Sequence, residues 1–337
     1  MKTRIKQITL VLLICIIAAC NKDPDPIPET TTDVYIAGFE DNGLRTVAKI
    51  WKNGIGTPLT DGSNYSEAIS VFVSENSVYV AGYEFNGTKT VAKIWENGIE
   101  TSLTDGTDNA YAVSVYVSGN DVYVAGYESG EAKLWTNGIE TALTDGINYS
   151  NANSVYVSGN DVYVAGFEEE DFYDVAKVWK NGIATPLTDG ANRAEATSIY
   201  VSGNDVYATG FEYNGDITVA KIWKNGMGTS LTDGSNRAVP YSVHVSGNDV
   251  YVVGYERENN TIDVANMWKN GIATPLTDGT YNAKANSVFV LNGDVYTVGY
   301  EEGSSNDIAK LWKNGIETSL TDGTYYARAS AIFVITY

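Results

Sequence analysis

The chain has 337 residues, with 42 acidic against 22 basic side chains, a formal net charge of −20 and a single histidine. That balance excludes nucleic acid as a partner, because phosphates call for a basic footprint, and it reads as solubility in an extracellular setting. The 24 Tyr and 33 Gly, beside abundant Val and Asn, point to β-structure joined by tight turns.

Residues 1–19 read as a targeting segment. Lys2, Arg4 and Lys6 form a positive start, Ile8 to Ile17 an apolar run interrupted by Thr9, and Ala18-Ala19 the small residues before a cut. The apolar run is too short for a comfortable membrane span. The sequence Ile17-Ala18-Ala19-Cys20 resembles a bacterial lipobox, and that resemblance implies that Cys20 is diacylated and becomes the new N-terminus. Cys15 lies inside the removed segment, so no disulfide or thiolate metal site is expected in the mature chain. Residues 20–32 then carry the lipidated cysteine and a polar tether extended by Pro24, Pro26 and Pro28. Lys22-Asp23 is similar to the short export tags of Bacteroidota lipoproteins, which implies an outer-membrane lipoprotein on the cell surface, with a periplasmic orientation as the alternative.

From residue 33 the chain repeats itself. In residues 153–190, SVYV and VYVAG flank the turn SGND, VAKVW follows a polar loop, and Asn181-Gly182 leads into IATPLT before Asp189-Gly190. Asn-Gly between apolar runs is a strong hairpin signal, because both central residues of a type I′ turn need positive φ. Trp51, Trp95, Trp135, Trp179, Trp223, Trp268 and Trp312 mark seven copies spaced by 44, 40, 44, 44, 45 and 44 residues. Four short strands at such a period predict an all-β fold, a seven-bladed β-propeller over 33–337 with four antiparallel strands per blade. DVYIAGFE (33–40) is a second strand without a first, and SAIFVITY (330–337) a first without a second. Pairing of these N- and C-terminal strands would close the ring and remove an open sheet edge. The nearly continuous apolar runs suggest strands packed on both faces between neighbouring blades. A monomeric ring is expected.

The copies resemble bacterial propeller lipoproteins with highly similar blades, over essentially all of 33–337. They lack the signatures of WD, kelch and sialidase repeats. The resemblance therefore implies a fold and carries no activity.

An up-and-down blade places the end of strand two, the next loop and the end of strand four on one face. The candidate ligand-binding residues are the glutamates that close strand two, Glu40, Glu84, Glu128, Glu168, Glu212, Glu256 and Glu301, with Tyr65, Tyr149 and Tyr281 on the crossings between blades. The Asp of each Thr-Asp-Gly, from Asp61 to Asp322, shares that face, as do the loops EEEDFYD (168–174) and RENNTID (257–263). An acidic, aromatic face suits glycans, a cation or a protein. Each Glu could instead pair with a strand-three lysine, with Asn266 the exception in blade six, and each Asp could simply hold its own turn. The tryptophans read as packing between blades, Gly38 and Gly82 as points of close backbone approach, and His244 as a packed substitute for the Tyr or Phe of other blades.

With one histidine and no free thiol expected in the mature chain, Ser-His, Cys-His and histidine-rich metal sites are unavailable. No cofactor is expected, and Ca²⁺ has no complete EF-hand loop to hold it. Acids repeated in every blade favour multivalent binding over catalysis, since a catalytic carboxylate pair should occur once or twice in the ring. The sequence thus reads as a non-enzymatic envelope lipoprotein that binds a glycan or other surface ligand. The alternatives are a protein-interaction scaffold and a carboxylate-based polysaccharide-active enzyme.

Overall fold

The computed structural model describes residues 31–258 and 261–337. The signal segment, Cys20 and the tether up to residue 30 lie outside the described residues, as do Asn259 and Asn260 of the blade-six loop. The described residues form seven four-stranded antiparallel sheets and no helix. Blade 2 is typical, with strands Ser66–Ser74, Ser77–Phe85, Thr90–Glu96 and Ile99–Ser102 from the axis outward. The first strands of all seven blades touch one another in a closed ring around a central channel.

Blade 1 closes that ring. Its inner strand, Ala327–Thr336, pairs with Thr32–Asp41, and Thr46–Lys52 and Ile55–Pro58 complete the sheet. The two ends of the propeller are therefore held in register, from Thr32 opposite Thr336 to Glu40 opposite Ala327.

Turn chemistry fixes each hairpin. In the outer hairpin of blade 1, Asn53 and Gly54 adopt φ of 51° and 81°, the two positive values that a type I′ turn requires. The Asn53 side chain also accepts the Val34 amide at 2.8 Å and donates to Asp33 at 2.8 Å, which pins the turn to the second strand. The same amide contact recurs in the other six blades.

Every inner strand contains one extra residue. In blade 2, Ala68 opposes Gly82 and Ser70 opposes Ala81, so Ile69 is left out of the ladder. This β-bulge turns two consecutive residues, here Ile69 and Ser70, toward the channel. It also brings the Glu67 carbonyl so close that a Cβ on Gly82 would lie 2.0 Å from it. All seven second strands carry glycine at that position, which is the close approach read from the sequence.

Packing between blades follows from the same inner strands. Ser70 Oγ accepts the Val115 amide of the next blade at 3.1 Å, and Ser114, Ser154, Ser198, Ser242 and Ser287 repeat the staple. The seventh position is Ala331, so the step from blade 1 to blade 2 lacks this bond. The tryptophans pack between blades as expected. Trp95 of blade 2 lies among Tyr35, Ala37 and Ala48 of blade 1 and is fully buried.

Below the serines, Phe72, Tyr116, Tyr156, Tyr200, His244, Phe289 and Phe333 form an unbroken aromatic collar with neighbouring ring centroids 4.7 to 4.9 Å apart. His244 is thus the packed substitute that its position suggested. The outermost strands depart from the expectation of burial on both faces. All of their residues are exposed, because the blades splay apart at the rim. Four residues in length and often ended by Pro, as at Pro58, Pro186 and Pro275, they leave little edge for another chain to extend.

Two stability predictions follow from the collar and the staple. Burial lowers the His244 pKa from 6.5 to about 4, with a hydrogen bond to the Val290 carbonyl opposing. The unfolded chain therefore takes up a proton that the folded ring refuses as pH falls from about 6.5 to 4, and stability is lost over that window. Urea melts should show His244→Phe losing less stability than the natural chain across it, by up to about 3 kcal/mol. Ala331→Ser supplies the missing staple and should stabilise the ring by about 1 kcal/mol, read as a higher melting temperature.

Candidate functional site

The crossings between blades, the loops between strands two and three, and the ends of the outer strands all emerge on one face. The expected glutamates stand there, and most are engaged. Glu40 pairs with Lys49, Glu84 with Lys93 at 3.6 Å, Glu168 with Lys177 at 2.6 Å, Glu212 with Lys221 at 3.0 Å and Glu301 with Lys310 at 3.2 Å. In blade 3 Lys133 turns instead to Glu131 and Glu140, both at 2.8 Å. The Glu128 carboxyl is left raised above the usual range by burial and by Glu140. In blade 6, where Asn266 replaces the lysine, Glu256 accepts from Asn236 at 3.3 Å.

Each repeated Asp accepts the amide two residues ahead at 2.8 to 3.0 Å, a local turn bond. Tyr65, Tyr149 and Tyr281 are about half exposed at 49%, 47% and 47%, and Tyr325, at 44%, is a fourth member absent from the sequence-based set. Open grooves separate the blades here. Asp278, Tyr281, Glu301 and Glu317 line one of about 530 Å³. Among the described residues, no group of three acidic, histidine or cysteine side chains is arranged to hold a metal ion.

A different site lies at the mouth of the channel, on the same face. A cavity of about 600 Å³ descends from it to the serine staples, above the aromatic collar. The second residue of the inner strands is Glu67, Tyr111, Asn151, Glu195, Val239, Lys284 and Arg328 in blades 2 to 7 and 1, and of these Glu67, Glu195, Lys284 and Arg328 line the cavity. The bulge residue below varies as well, with Asn153, Thr197, Tyr241, Asn286 and Ser330 among the lining.

The charges at the mouth are held rather than free. Arg328 Nε donates to Asp307 at 2.6 Å, and its guanidinium lies 3.9 Å from the centre of the Tyr300 ring. Lys284 Nζ stands 3.6 Å from Asp263 and 4.4 Å from the centre of the Tyr255 ring. Arg257 already holds Asp263 at 2.6 Å. Burial lowers the Lys284 pKa, nearby Arg328 and Arg237 add to the effect, and Asp263 opposes it. Burial raises the carboxyls of Glu67, on the strand next to that of Arg328, and of Glu195, with Tyr83 and Arg328 opposing at the first and Arg193 at the second.

Sequence reading missed this site because it followed the positions that repeat. The mouth is built from those that do not, and the available signal was the two columns of the inner strand, its second and its bulged residue, that differ in nearly every copy. The bulge hid their orientation, since strict alternation places Ile69 and Ser70 on opposite faces.

The lysine pairs at the rim make a measurable prediction. Lys177 is buried between Glu168 and Glu170, both at 2.6 Å. Lys177→Met should cost about 2 kcal/mol by leaving two carboxylates unpaired. The more exposed Lys221 makes the single contact to Glu212, so Lys221→Met should cost about 1 kcal/mol or less. Denaturant melts of the two variants test the difference.

No family model matches the chain, and no curated protein matches it. Solved structures with a similar course include TolB from Acinetobacter baumannii, at 12% identity over 75% of this chain and 66% of that one, with a TM-score of 0.47. A puromycin-hydrolysing peptidase from Mycobacterium tuberculosis is 10% identical over 86% of this chain, with a TM-score of 0.58. The chain spans 52% of that peptidase's length. At such identity the second likeness shows a shared propeller fold alone.

Proposed function

We propose that the protein is a non-enzymatic binding protein of the bacterial cell envelope that takes its ligand at the mouth of the channel. The envelope assignment rests on the lipobox-like Ile17-Ala18-Ala19-Cys20, and the surface-facing, outer-membrane reading on Lys22-Asp23. The ligand is a glycan or a component of another envelope molecule.

One observation carries the choice of site. In a ring whose tryptophans, turn residues and bulge glycines recur in all seven blades, charged and polar variety is concentrated around one cavity. Structure alone asks for no such variety, because a symmetric ring closes with seven equal residues at the second position. Binding is favoured over catalysis because the acids of this face recur in every blade, whereas a glycosidase carboxylate pair should occur once or twice in the ring. The exposed Tyr65, Tyr149, Tyr281 and Tyr325 support a second reading, multivalent binding at the rim grooves.

A glycan array and an envelope-protein pull-down with the purified chain separate the two. Val113 lines the cavity with an apolar side chain, so Val113→Trp fills the space without removing a polar contact. The expected result is a signal lost in Val113→Trp and kept when Tyr65, Tyr149 and Tyr281 are replaced together by Ala. The reverse pattern assigns binding to the rim, and turnover of any arrayed glycan overturns the non-enzymatic reading.

A further inference from the structure

The geometry points to an acidic sugar as the ligand of the channel mouth: a ring with one carboxylate, presented at the end of a glycan, the carboxylate seated on Arg328 and Lys284. This inference rests on the mouth being the binding site.

The first observation is where the positive charge lies. The chain carries a net charge of −20, yet Arg328 and Lys284 line this opening, with Arg193 on the wall residue Glu195, Arg237 near Lys284 and Arg257 on the aspartate that Lys284 faces. Arg328 is the best placed of them. Asp307 holds only its Nε, the Tyr300 ring supports the guanidinium plane, and among the described residues its two terminal nitrogens make no hydrogen bond. Such a fork is oriented before a ligand arrives and suits two parallel bonds to a carboxylate. Lys284 is left partly unneutralised, because Arg257 holds the carboxylate that both share at the shorter distance. An incoming anion relieves the mutual repulsion of the two cations.

The second observation limits the anion to a single charge. Asp263 and Asp307 stand behind the two cations, Glu67 stands on the inner strand next to that of Arg328, and Glu195 on another part of the wall. A doubly charged phosphate would meet these four acids with only two incompletely compensated cations. A monoanion leaves the rest of the ligand to meet neutral partners, and those are plentiful. Asn153 and Asn286 each donate their amide N–H to the next blade's backbone at 2.9 Å, which leaves their side-chain oxygens as acceptors. The staple serines use their oxygens as acceptors and keep their O–H groups as donors to the cavity. Phe39 and Tyr241 add aromatic wall. One carboxylate with several hydroxyls on a compact ring matches this lining, and the volume of about 600 Å³ falls within the range of small-ligand sites. The cavity opens at the mouth and its lining ends above the aromatic collar, which suits a glycan entering by its end.

Titration calorimetry on the purified chain provides the test, using oligosaccharides that end in glucuronic acid, the same chains ending in glucose, free glucuronate, glucose 6-phosphate and inorganic phosphate. The glucuronate-terminated chain should bind about 10-fold or more tightly than its neutral counterpart. Arg328→Lys, which keeps charge and loses the fork, should weaken it about 10-fold, and Lys284→Gln should weaken it by a similar factor. Melting temperatures establish that both variants are folded, and Lys284→Gln, at the more weakly paired cation, keeps the test valid if the arginine variant unfolds. Equal binding of neutral and acidic chains, or tighter binding of either phosphate probe, overturns the carboxylate seat. If such binding is still lost in Val113→Trp, the mouth stands as the site and only the ligand class falls. Absence of binding by every probe overturns this inference, while the array and pull-down with Val113→Trp judge the site on their own.

Discussion

The contact on which this ring depends is the approach of an inner-strand carbonyl to a glycine of the second strand. Seven times the inner strand holds one residue too many, and seven times the partner has no side chain where the ladder buckles. The buckle has two effects. It turns a serine toward the neighbouring blade, where it caps an otherwise unpaired amide, and it turns the residue before it into the channel. One local irregularity thus supplies both the staple between blades and the wall of the cavity. Replacing the glycine would press a methyl group into a backbone oxygen, with no flexible side chain able to give way.

Much of the architecture was legible because the same physical demands recur in every copy. Asn-Gly pairs need positive φ, tryptophans need a neighbouring blade, and the missing first strand of blade 1 could be found at Ala327–Thr336. The balance between pairing and ligand capture at the glutamates was harder to read. Five pair with the expected lysine, but Lys133 is drawn to Glu131 because the loop of blade 3 is short enough to bring that carboxylate within 2.8 Å. The exposed outer strands were misjudged for a geometric reason. A strand with Ile55 or Ile99 reads as buried, and only the divergence of blades away from the axis leaves those side chains in water. The mouth was not legible at all by periodicity, since the bulge shifts the facing of the inner strand by one residue.

The contrast between repeated and singular residues also organises the electrostatics. Repeated charges are neutralised within their own blade, as with Lys177 between two glutamates or Lys180 against Asp161 at 2.7 Å. Singular charges bridge blades. Asp263 of blade 6 faces Lys284 of blade 7, and Asp307 of blade 7 holds Arg328 of blade 1. An aspartate at the start of strand three and a base on the following inner strand therefore form a unit at these two junctions. Such units give the ring a front and a back in an otherwise seven-fold plan.

The chain enters the ring as the second strand of blade 1, rising from the face that carries the Asn-Gly turns. Thr32 therefore leaves the fold on the collar side of the channel, while the cavity opens on the other side. A pull on the residues before Thr32 loads that strand along its length, between Ala327–Thr336 on one side and Thr46–Lys52 on the other. Two ladders then share the load in shear rather than opening one bond at a time. A tethered ring would hang by a strand clamped on both sides and present its cavity away from the tether.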